Sequence, residues 1–172
     1  MQLQEAIALI QNKTIQTNAQ QEWADLGCGA GLFTHALANL LQAGSIIHAV
    51  DKNIATFKKY SSQVMVKPMQ LDFVTADIYL QALDGVLMAN SLHYVKDKIA
   101  LINKLSQITK TNAHLLIVEY DTDISNLWVP YPVSFSALQQ LFSKAGYSTV
   151  SKLHEHPSLY NRAGIYSALI SK

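Results

Sequence analysis

The sequence predicts an α/β fold built on a mostly parallel β-sheet. Short apolar runs alternate along the chain with segments whose apolar residues recur at helical spacing, which is the pattern of βαβ units. The run Glu22–Leu26 is followed by the glycine-rich segment Gly27–Gly31, a helical pattern from Leu32 and a second apolar run that ends at Asp51. A strand, a tight turn, a helix and a second strand ending in a carboxylate form a site for a nucleoside-bearing cofactor.

The elements in the first half of the chain follow from the spacing of apolar residues. The spacing predicts helices at Leu3–Ile10 and Leu32–Leu41 and a short helix at Ile54–Tyr60. The strands predicted in this half are Glu22–Leu26, Ser45–Val50, which leads into Asp51, and Val64–Gln70. Pro68 has no amide hydrogen, so we expect the last of these strands at an edge of the sheet.

The second half predicts two apolar strands, two helices and a terminal hairpin. The strands are Leu83–Ala89 and Ala113–Glu119, and the second is so apolar that we expect burial on both faces. The apolar stripe of the first helix consists of Ile99, Ile102, Leu105 and Ile108. The stripe of the second consists of Phe135, Leu138, Leu141 and Phe142, and this helix is predicted to stop at Gly146. The strand-like runs Tyr147–Leu153 and Ile165–Ile170 follow without a helix between them, which favours an antiparallel hairpin.

Composition limits the classes to which the chain can belong. The chain has 172 residues, 49% of them apolar and 15% charged, which fits one compact domain over residues 1–172. We find no apolar stretch that could span a bilayer and no signal peptide at its start. Cys28 is the only cysteine, which excludes an intrachain disulfide and makes a cytoplasmic location the expectation.

The charge pattern argues against a nucleic-acid substrate. The formal net charge is +1, and Arg162 is the only arginine. Arginine is the favoured group for bidentate contacts to phosphate and guanine, and a nucleic-acid binder is expected to carry a basic stripe. We therefore expect a small molecule as the substrate. We expect no DNA, RNA or membrane as a partner.

The spacing of the glycines distinguishes two classes of cofactor site. A dinucleotide site has the pattern G-x-G-x-x-G, but its third glycine would fall at Leu32 counting from Gly27, and at Thr34 counting from Gly29. The chain has G-x-G-x-G instead, ending at Gly31. This run resembles the first motif of the class I S-adenosylmethionine-dependent methyltransferases. The runs that resemble the successive motifs of that family are Asp25–Gly31, Val50–Asp51, Leu71–Phe73, Gly85–Val95 and Leu115–Tyr120.

The resemblance implies a fold, a cofactor and a set of residues that bind it. The implied fold is a three-layer α/β sandwich whose seven-stranded, mostly parallel sheet has the order 3-2-1-4-5-7-6 and ends in an antiparallel hairpin. The implied cofactor is S-adenosylmethionine, with Asp51 at the ribose and Asp72 and Phe73 at the adenine. The residues expected to form the cofactor site are Asp25, Gly27, Cys28, Gly29, Gly31, Asp51, Lys52, Asp72, Phe73 and Asn90.

The chemistry of S-adenosylmethionine agrees with these residue types. The cofactor carries a sulfonium, an amino-acid zwitterion, a ribose and an adenine but no phosphate, and the glycine loop contains no lysine or arginine. Asp25, Asp51 and Asp72 stand at or near the carboxyl ends of predicted strands, where open α/β sheets bind ligands. Each of these aspartates also has a purely structural explanation, as a cap or the start of a turn.

Two residues after the fourth strand are candidates for catalysis. Methyl transfer depends chiefly on holding the acceptor in line with the methyl group, and a general base is needed only if the acceptor is protonated at neutral pH. His93 is the best candidate for such a base, and the alternative is a structural histidine. Tyr94 either orients a substrate or packs as an ordinary aromatic residue. No metal is expected, because His154 and His156 have no third ligand nearby in sequence.

A long connection after the fifth strand supplies the candidates for substrate binding. The segment Tyr120–Pro132 carries Trp128 and Tyr131, and exposed aromatic residues over a cleft are typical of a substrate wall. Arg162, in the hairpin turn, is a candidate partner for a substrate carboxylate. The alternatives are a rigid, proline-braced loop and a surface ion pair of Arg162.

Two other functions stay open at the level of sequence. A non-catalytic module would bind the cofactor and act through a partner, and a nicotinamide-dependent oxidoreductase would share a related sheet. The glycine spacing and the terminal hairpin argue against the second. The chain lacks the Asn-Pro-Pro-Tyr or Asp-Pro-Pro-Tyr run of many amino methyltransferases, and it lacks the lids of many small-molecule enzymes. We therefore expect a shallow substrate site or one completed by a second chain in a homodimer, with the acceptor and the methylated atom undetermined.

Overall fold

The helices and strands of the chain form a single β-sheet with helices on both faces. The computed structural model describes residues 1–57, 63–157 and 164–172. The helices are α1 (Leu3–Ile10), α2 (Leu32–Ala38), α3 (Lys98–Ile108) and α4 (Phe135–Lys144), with short 3-10 turns at Ile54–Thr56 and Leu92–Tyr94. The strands are β1 (Glu22–Leu26), β2 (Ile46–Asp51), β3 (Met65–Gln70), β4 (Leu83–Ala89), β5 (Thr109–Tyr120), β6 (Thr149–His156) and β7 (Ile165–Ser171).

The sheet has the strand order that the family resemblance predicts. Its seven strands lie in the order β3-β2-β1-β4-β5-β7-β6. Strands β1 to β5 pair in parallel, whereas β7 pairs antiparallel with both β5 and β6. Because β1 and β4 are neighbours while β2 and β5 lie outside them, the chain reverses direction across the sheet between β1 and β4. The carboxyl ends of these two strands border the crevice where such sheets bind ligands.

Alternating residues of the central strands bury the two faces of the sheet. In β4, Val86 and Met88 face one apolar cluster, which includes residues of α3 and α4. Leu87 faces a second cluster, which includes residues of α1 and α2. This alternation follows from the two-residue period of a strand, and it produces the predicted three-layer sandwich.

The bounds of some elements differ from the prediction, because hydrogen bonding rather than the spacing of apolar residues sets them. The predicted helix Leu32–Leu41 ends at Ala38, because the side-chain amide of Asn39 donates to the carbonyl of His35 (2.7 Å) as the chain begins to turn. The fifth strand begins earlier than predicted, at Thr109, which pairs with Leu83 of β4. The prediction missed this start because its residues are polar and carry no apolar pattern.

Further differences concern the outer parts of the sheet. The predicted helix Ile54–Tyr60 is a 3-10 turn at Ile54–Thr56, and residues 58–62 lie outside the described residues. The sixth strand starts at Thr149 and continues to His156, because its pairing with β7 extends to Ile165. Strand β3 is an edge strand, as Pro68 predicts. In the described ranges, the helices are all too short or too polar to cross a membrane.

Candidate functional site

The turn after β1 brings the backbone of the glycine loop against the end of β2. The amides of Gly27 and Cys28 both donate to the carbonyl of Val50, at 2.8 and 3.1 Å. Gly27 has φ +83°, and a Cβ atom there would lie 2.5 Å from Cβ of Ser91. A side chain at this position would therefore be both strained and sterically excluded, so the loop can take this path only with glycine.

The carboxylate of Asp51 orders the loop and keeps acceptor capacity for a ligand. Its Oδ2 accepts from the amide of Gly29 and its Oδ1 from the amide of Asn53, both at 2.9 Å. A carboxylate has about four lone-pair sites, so two of them are used by the loop. The remaining sites can accept from hydroxyl groups of a bound ribose.

A cavity of about 490 Å³, which we call the glycine-loop cavity, lies at this end of the sheet. It is lined by Gly27, Asp51, Lys52, Asp72, Phe73, Val74, Thr75, Asn90, Ser91 and Tyr94. Six of these lining residues belong to the ten that sequence analysis assigns to the cofactor: Gly27, Asp51, Lys52, Asp72, Phe73 and Asn90. Asp72 is committed in part to the local turn, since its Oδ1 accepts from the amide of Val74 at 3.0 Å.

The four other residues of the predicted cofactor set, Asp25, Cys28, Gly29 and Gly31, are absent from the cavity lining. Asp25 is 1% exposed and accepts a hydrogen bond from Oγ1 of Thr34 at 2.5 Å, while its Oδ1 has no hydrogen-bond partner in the part of the chain that the structure describes. Burial raises the pKa of Asp25 from 3.8 to about 7, although the bond from Thr34 opposes the shift. The structure therefore places Asp25 beneath the loop, where it holds the start of α2 instead of facing the cavity.

The single thiol of the chain is an inert part of the loop. Cys28 is buried, and burial together with the nearby charges of Asp25 and Asp51 raises its pKa well above the ordinary value. The thiolate is the reactive form of cysteine. Cys28 is therefore held as a neutral thiol.

A second cavity of about 440 Å³, which we call the histidine cavity, adjoins the first. It is lined by Asn90, His93, Tyr94, Tyr120, Asn126, Trp128 and Val129. Asn90 and Tyr94 line both cavities. These two side chains therefore stand at the boundary between the two cavities, where a group could pass from one to the other.

The backbone turn at Asn90 brings the following residues into place. Asn90 has φ +53°, an uncommon value for a non-glycine residue, and its amide donates to the carbonyl of Val118 at 2.8 Å. Its buried Oδ1 has no hydrogen-bond partner among the described residues. Backbone strain and an unsatisfied buried acceptor concentrate at functional sites, and both features agree with the sequence-based prediction that Asn90 faces a ligand.

His93 is held by a buried carboxylate that sequence analysis did not select. Nδ1 of His93 lies 2.7 Å from Oε2 of Glu119, and the His93 amide donates to Oε1 at 3.1 Å. His93 is 2% and Glu119 1% exposed. Because the carboxylate accepts at Nδ1, it favours the tautomer with hydrogen on that atom and leaves Nε2 as the acceptor. Neither of these two contacts with Glu119 involves Nε2.

Glu119 was detectable in the sequence as the one acidic residue in a predicted strand that is nearly all apolar. Burying an ion without a partner is costly, so such a charge signals a partner brought by the fold. Here the partner comes from the turn after β4, because Ala89 and Val118 are register neighbours at the ends of β4 and β5. Because His93 and Glu119 are 26 residues apart in the sequence, their contact could not be predicted without the fold.

The predicted substrate residues divide into three groups. Tyr120 and Trp128 line the histidine cavity. Tyr131 does not line it, and the contact it makes there is through its backbone, whose amide donates to the carbonyl of His93 at 3.0 Å. The carbonyl of Tyr131 accepts from Nζ of Lys98 at 2.8 Å. Arg162 lies outside the described residues.

The two histidines considered as metal ligands each lie within hydrogen-bond distance of a backbone carbonyl. Nε2 of His154 lies 3.1 Å from the carbonyl of Gln11, and Nδ1 of His156 lies 2.7 Å from that of Pro157. Among the residues that the structure describes, no group of three or more His, Cys, Asp or Glu side chains is arranged to hold a metal ion.

Comparison with known proteins gives a family match and several similar folds. Residues 24–115, more than half of the chain, match the family model described as "Methyltransferase domain". No curated protein sequence matches the chain.

Three solved structures illustrate the likeness in fold. The YcgJ protein from Bacillus subtilis has 13% identity and a TM-score of 0.67, over 99% of this chain and 97% of that one. A SAM dependent methyltransferase from Archaeoglobus fulgidus has 14% identity and a TM-score of 0.72, over 99% and 94%. The Burkholderia thailandensis 1,6-didemethyltoxoflavin-N1-methyltransferase, solved with 1,6-didemethyltoxoflavin and S-adenosylhomocysteine, has 14% identity and a TM-score of 0.66, over 99% and 78%.

Proposed function

We propose that this chain, which belongs to the methyltransferase domain family and is an S-adenosylmethionine-dependent methyltransferase, methylates a small-molecule acceptor held in the histidine cavity. The observation that carries the proposal is the pair of adjoining cavities whose boundary is formed by Asn90 and Tyr94. One cavity has the glycine loop and the carboxylates that suit the cofactor, and the other has a histidine oriented by a glutamate. Methyl transfer requires donor and acceptor to meet at such a boundary.

The glycine-loop cavity fits S-adenosylmethionine in its chemistry. The free lone pairs of Asp51 suit the ribose hydroxyls, and Asp72 and the ring of Phe73 suit the amino group and the face of the adenine. Oδ1 of Asn90, which has no partner within residues 1–57, 63–157 and 164–172, suits a cationic or hydrogen-bond-donating part of the cofactor. When bound, the cofactor supplies a methyl group activated by its attachment to a sulfonium.

We propose that His93 accepts the proton that an acceptor loses, and that Glu119 positions His93. The Nδ1–Glu119 contact of 2.7 Å orients the ring, which leaves Nε2 free to take a proton from a group in the histidine cavity. Glu119 also stabilises the imidazolium that forms, as the carboxylate partner of a general-base histidine does. Tyr94, at the boundary, orients the acceptor.

The other parts of the proposal concern the setting in which the enzyme works. We propose that residues 1–172 act as one domain, in the cytoplasm, without nucleic acid as a partner. The likeness to an enzyme named for 1,6-didemethyltoxoflavin supports a small-molecule acceptor. A homodimer would complete the acceptor site from a second chain, and light scattering of the purified protein would detect it.

Calorimetry with S-adenosylmethionine, S-adenosylhomocysteine and NAD tests the cofactor assignment. We expect both S-adenosyl compounds to bind and NAD not to bind, because the third glycine of a dinucleotide loop is missing. Binding of NAD alone, or of none of the three, would contradict the proposal. Transfer of a labelled methyl group to members of a small-molecule library then separates an enzyme from a non-catalytic module, which would bind the cofactor but label no acceptor.

A further inference from the structure

We infer that the acceptor is an uncharged aromatic compound with an acidic hydroxyl group, a phenol in the simplest case. This inference rests on the proposed function and specifies the class of molecule that the histidine cavity takes. Three observations support it: the aromatic walls of the cavity, the lack of permanent charge on its described lining, and the orientation of His93.

The described lining of the histidine cavity is rich in aromatic side chains, which suits a planar ring as ligand. Tyr94, Tyr120 and Trp128 supply three aromatic side chains to its described lining. Trp128 is 80% exposed, although a tryptophan normally buries most of its large apolar surface. Aromatic rings gain stability from offset or edge-to-face contact with another ring. A planar ligand beside Trp128 would therefore cover apolar surface that the protein alone leaves in water.

Trp128 stands on a turn that is already ordered for binding. Oδ1 of Asn126 accepts from the amides of Trp128 and Val129, at 2.8 and 2.9 Å. The amide of Asn126 in turn donates to the carbonyl of Val129 at 3.1 Å. A wall fixed in this way loses little conformational entropy when a ligand binds, which distinguishes it from an aromatic residue on a loose loop.

The charge of the cavity selects a neutral ring. None of its described lining residues is a lysine, arginine, aspartate or glutamate. The carboxylate of Glu119 is paired with the lining residue His93, and the ammonium of Lys98 donates to the carbonyls of Val95 and Tyr131, at 2.9 and 2.8 Å. A charged substituent against these described residues would lose its hydration without meeting a side chain of opposite charge, which is costly.

The buried His–Glu pair selects an acceptor that must lose a proton. A phenolic hydroxyl has a pKa near 10, so it is protonated at neutral pH and reacts poorly without a base. In the transfer, the acceptor oxygen forms its bond to the methyl carbon, its proton passes to Nε2 of His93, and the carbon–sulfur bonding pair remains on sulfur. An aromatic amine can attack through its lone pair before it loses a proton and would gain less from the pair.

Three phenols that differ in charge provide the test: 4-ethylphenol, tyramine and 4-hydroxyphenylacetate. Their affinities are measured by ligand-observed NMR titration with S-adenosylhomocysteine present. We expect neutral 4-ethylphenol to bind at least tenfold more tightly than the cation or the anion, and Trp128→Ala to remove at least tenfold of that affinity. Tyr79→Ala is the matched control, because Tyr79 is 90% exposed and lines neither cavity.

The outcomes separate this inference from the proposed function. Equal or tighter binding of a charged phenol, no binding of any phenol, or equal effects of the two alanine variants would overturn the inference. Calorimetric binding of S-adenosylhomocysteine is measured on the same samples. If that ligand binds while the phenols fail, only the acceptor class is wrong, whereas failure of S-adenosylhomocysteine itself contradicts the proposed function.

Discussion

At the scale of single residues, the site uses carboxylates in three different environments. Asp51 is half-buried, lines the glycine-loop cavity and keeps lone pairs free for a ligand. Asp25 is fully enclosed and holds the loop through Thr34. Glu119 is buried against His93. The same chemical group thus binds, supports or orients according to its exposure and partners, and each role predicts a different result of substitution.

Replacing Asp51 by Ala should weaken the binding of S-adenosylhomocysteine by about 10- to 100-fold, because each hydrogen bond to a charged group contributes about 1.5–3 kcal/mol. Calorimetry measures the change. Asp84→Asn is the control, since Asp84 lies at the opposite end of the sheet, where it accepts from the amide of Glu22 and pairs with Lys110. Near-normal affinity of the Asp51 variant would show that this carboxylate does not hold the ribose.

Replacing Glu119 by Gln should lower kcat by about 100-fold or more, the usual contribution of a general base. The amide can donate to Nδ1 and thereby move the ring hydrogen to Nε2, the wrong tautomer for a base. Nitrogen-15 NMR of the His93 ring reports the tautomer, and the pH profile of kcat reports the lost base.

The chain offers a matched control for this change in a second His–Glu pair. His48 of β2 lies 2.7 Å from Glu22 at the amino end of β1, away from the carboxyl ends that border the cavities, and Glu22→Gln should leave kcat and its pH profile unchanged. Binding of S-adenosylhomocysteine should stay within about twofold in both variants. A Glu119 variant with a normal pH profile would leave the pair only a structural role.

The raised pKa of Asp25 predicts that the free energy of unfolding depends on pH. Its pKa rises from 3.8 in the unfolded chain to about 7 in the fold, chiefly through burial, so the folded state binds this proton more tightly. Its ionisation therefore opposes folding, and its contribution to stability is present below pH 3.8 and lost as pH rises to about 7.

The difference in unfolding free energy between the wild type and Asp25→Asn isolates this contribution. The wild type should lose up to about 1.4 kcal/mol per pH unit relative to the variant across this window. Urea titrations at several pH values measure the difference. A constant difference would mean that Asp25 is ionised in the fold throughout.

At the scale of elements, the segment between β5 and α4 is ordered by polar contacts rather than by regular structure. Asn126 caps the turn that carries Trp128, Lys98 ties the segment to the start of α3, and the amide of Phe135 at the start of α4 donates to Asp121 at 2.8 Å. A long loop can thereby form a defined wall of the histidine cavity.

Replacing Asn126 by Ala should loosen this wall without affecting the rest of the sheet. The loss of two hydrogen bonds costs about 1–3 kcal/mol locally, so the amides of Trp128 and Val129 should exchange their hydrogens faster. Hydrogen-exchange NMR measures the change. Asn103→Ala is the matched control, because Asn103 is exposed on α3. Unchanged exchange at Trp128 would mean that packing, not Asn126, orders the turn.

At the scale of the whole molecule, the central strands β1 and β4 fit together through a close contact between Trp23 and Gly85. Trp23 of β1 is the register neighbour of Gly85 of β4, and its buried indole lies across that glycine. A Cβ atom at Gly85 would be 2.5 Å from the Trp23 ring. The fit of these two residues therefore links β1, which leads into the glycine loop, to β4, which leads to His93.

Replacing Gly85 by Ala should destabilise the whole protein by about 1–3 kcal/mol, the usual cost of overpacking a core. Chemical denaturation should show one shifted, cooperative transition. Gly164→Ala is the matched control, because a Cβ there would meet only an ordinary contact at 3.6 Å. Equal stability of the two variants would show that Trp23 moves aside at little cost.

The sequence was most informative where a signal is local. The period of apolar residues predicted the strands, the alternation with helices predicted the α/β class, and Pro68 predicted the edge strand. The cofactor set stays a prediction, and the cavity lining includes six of its ten residues but not Asp25 or Cys28. Spacing along the chain identifies a loop, whereas the direction of each side chain depends on the backbone turns at Gly27 and its neighbours.

The sequence by itself determined the family resemblance and the loop on which the cofactor site is built, since these depend on residue spacing and on glycine. The strand order followed only as what that resemblance implies, and the structure has that order. Only the tertiary structure decided that His93 meets Glu119, that Asn90 and Tyr94 separate two cavities, and that Tyr131 contributes backbone contacts rather than cavity lining. These contacts join residues that are distant along the chain, and they exist because parallel strands bring their carboxyl ends to one edge of the sheet.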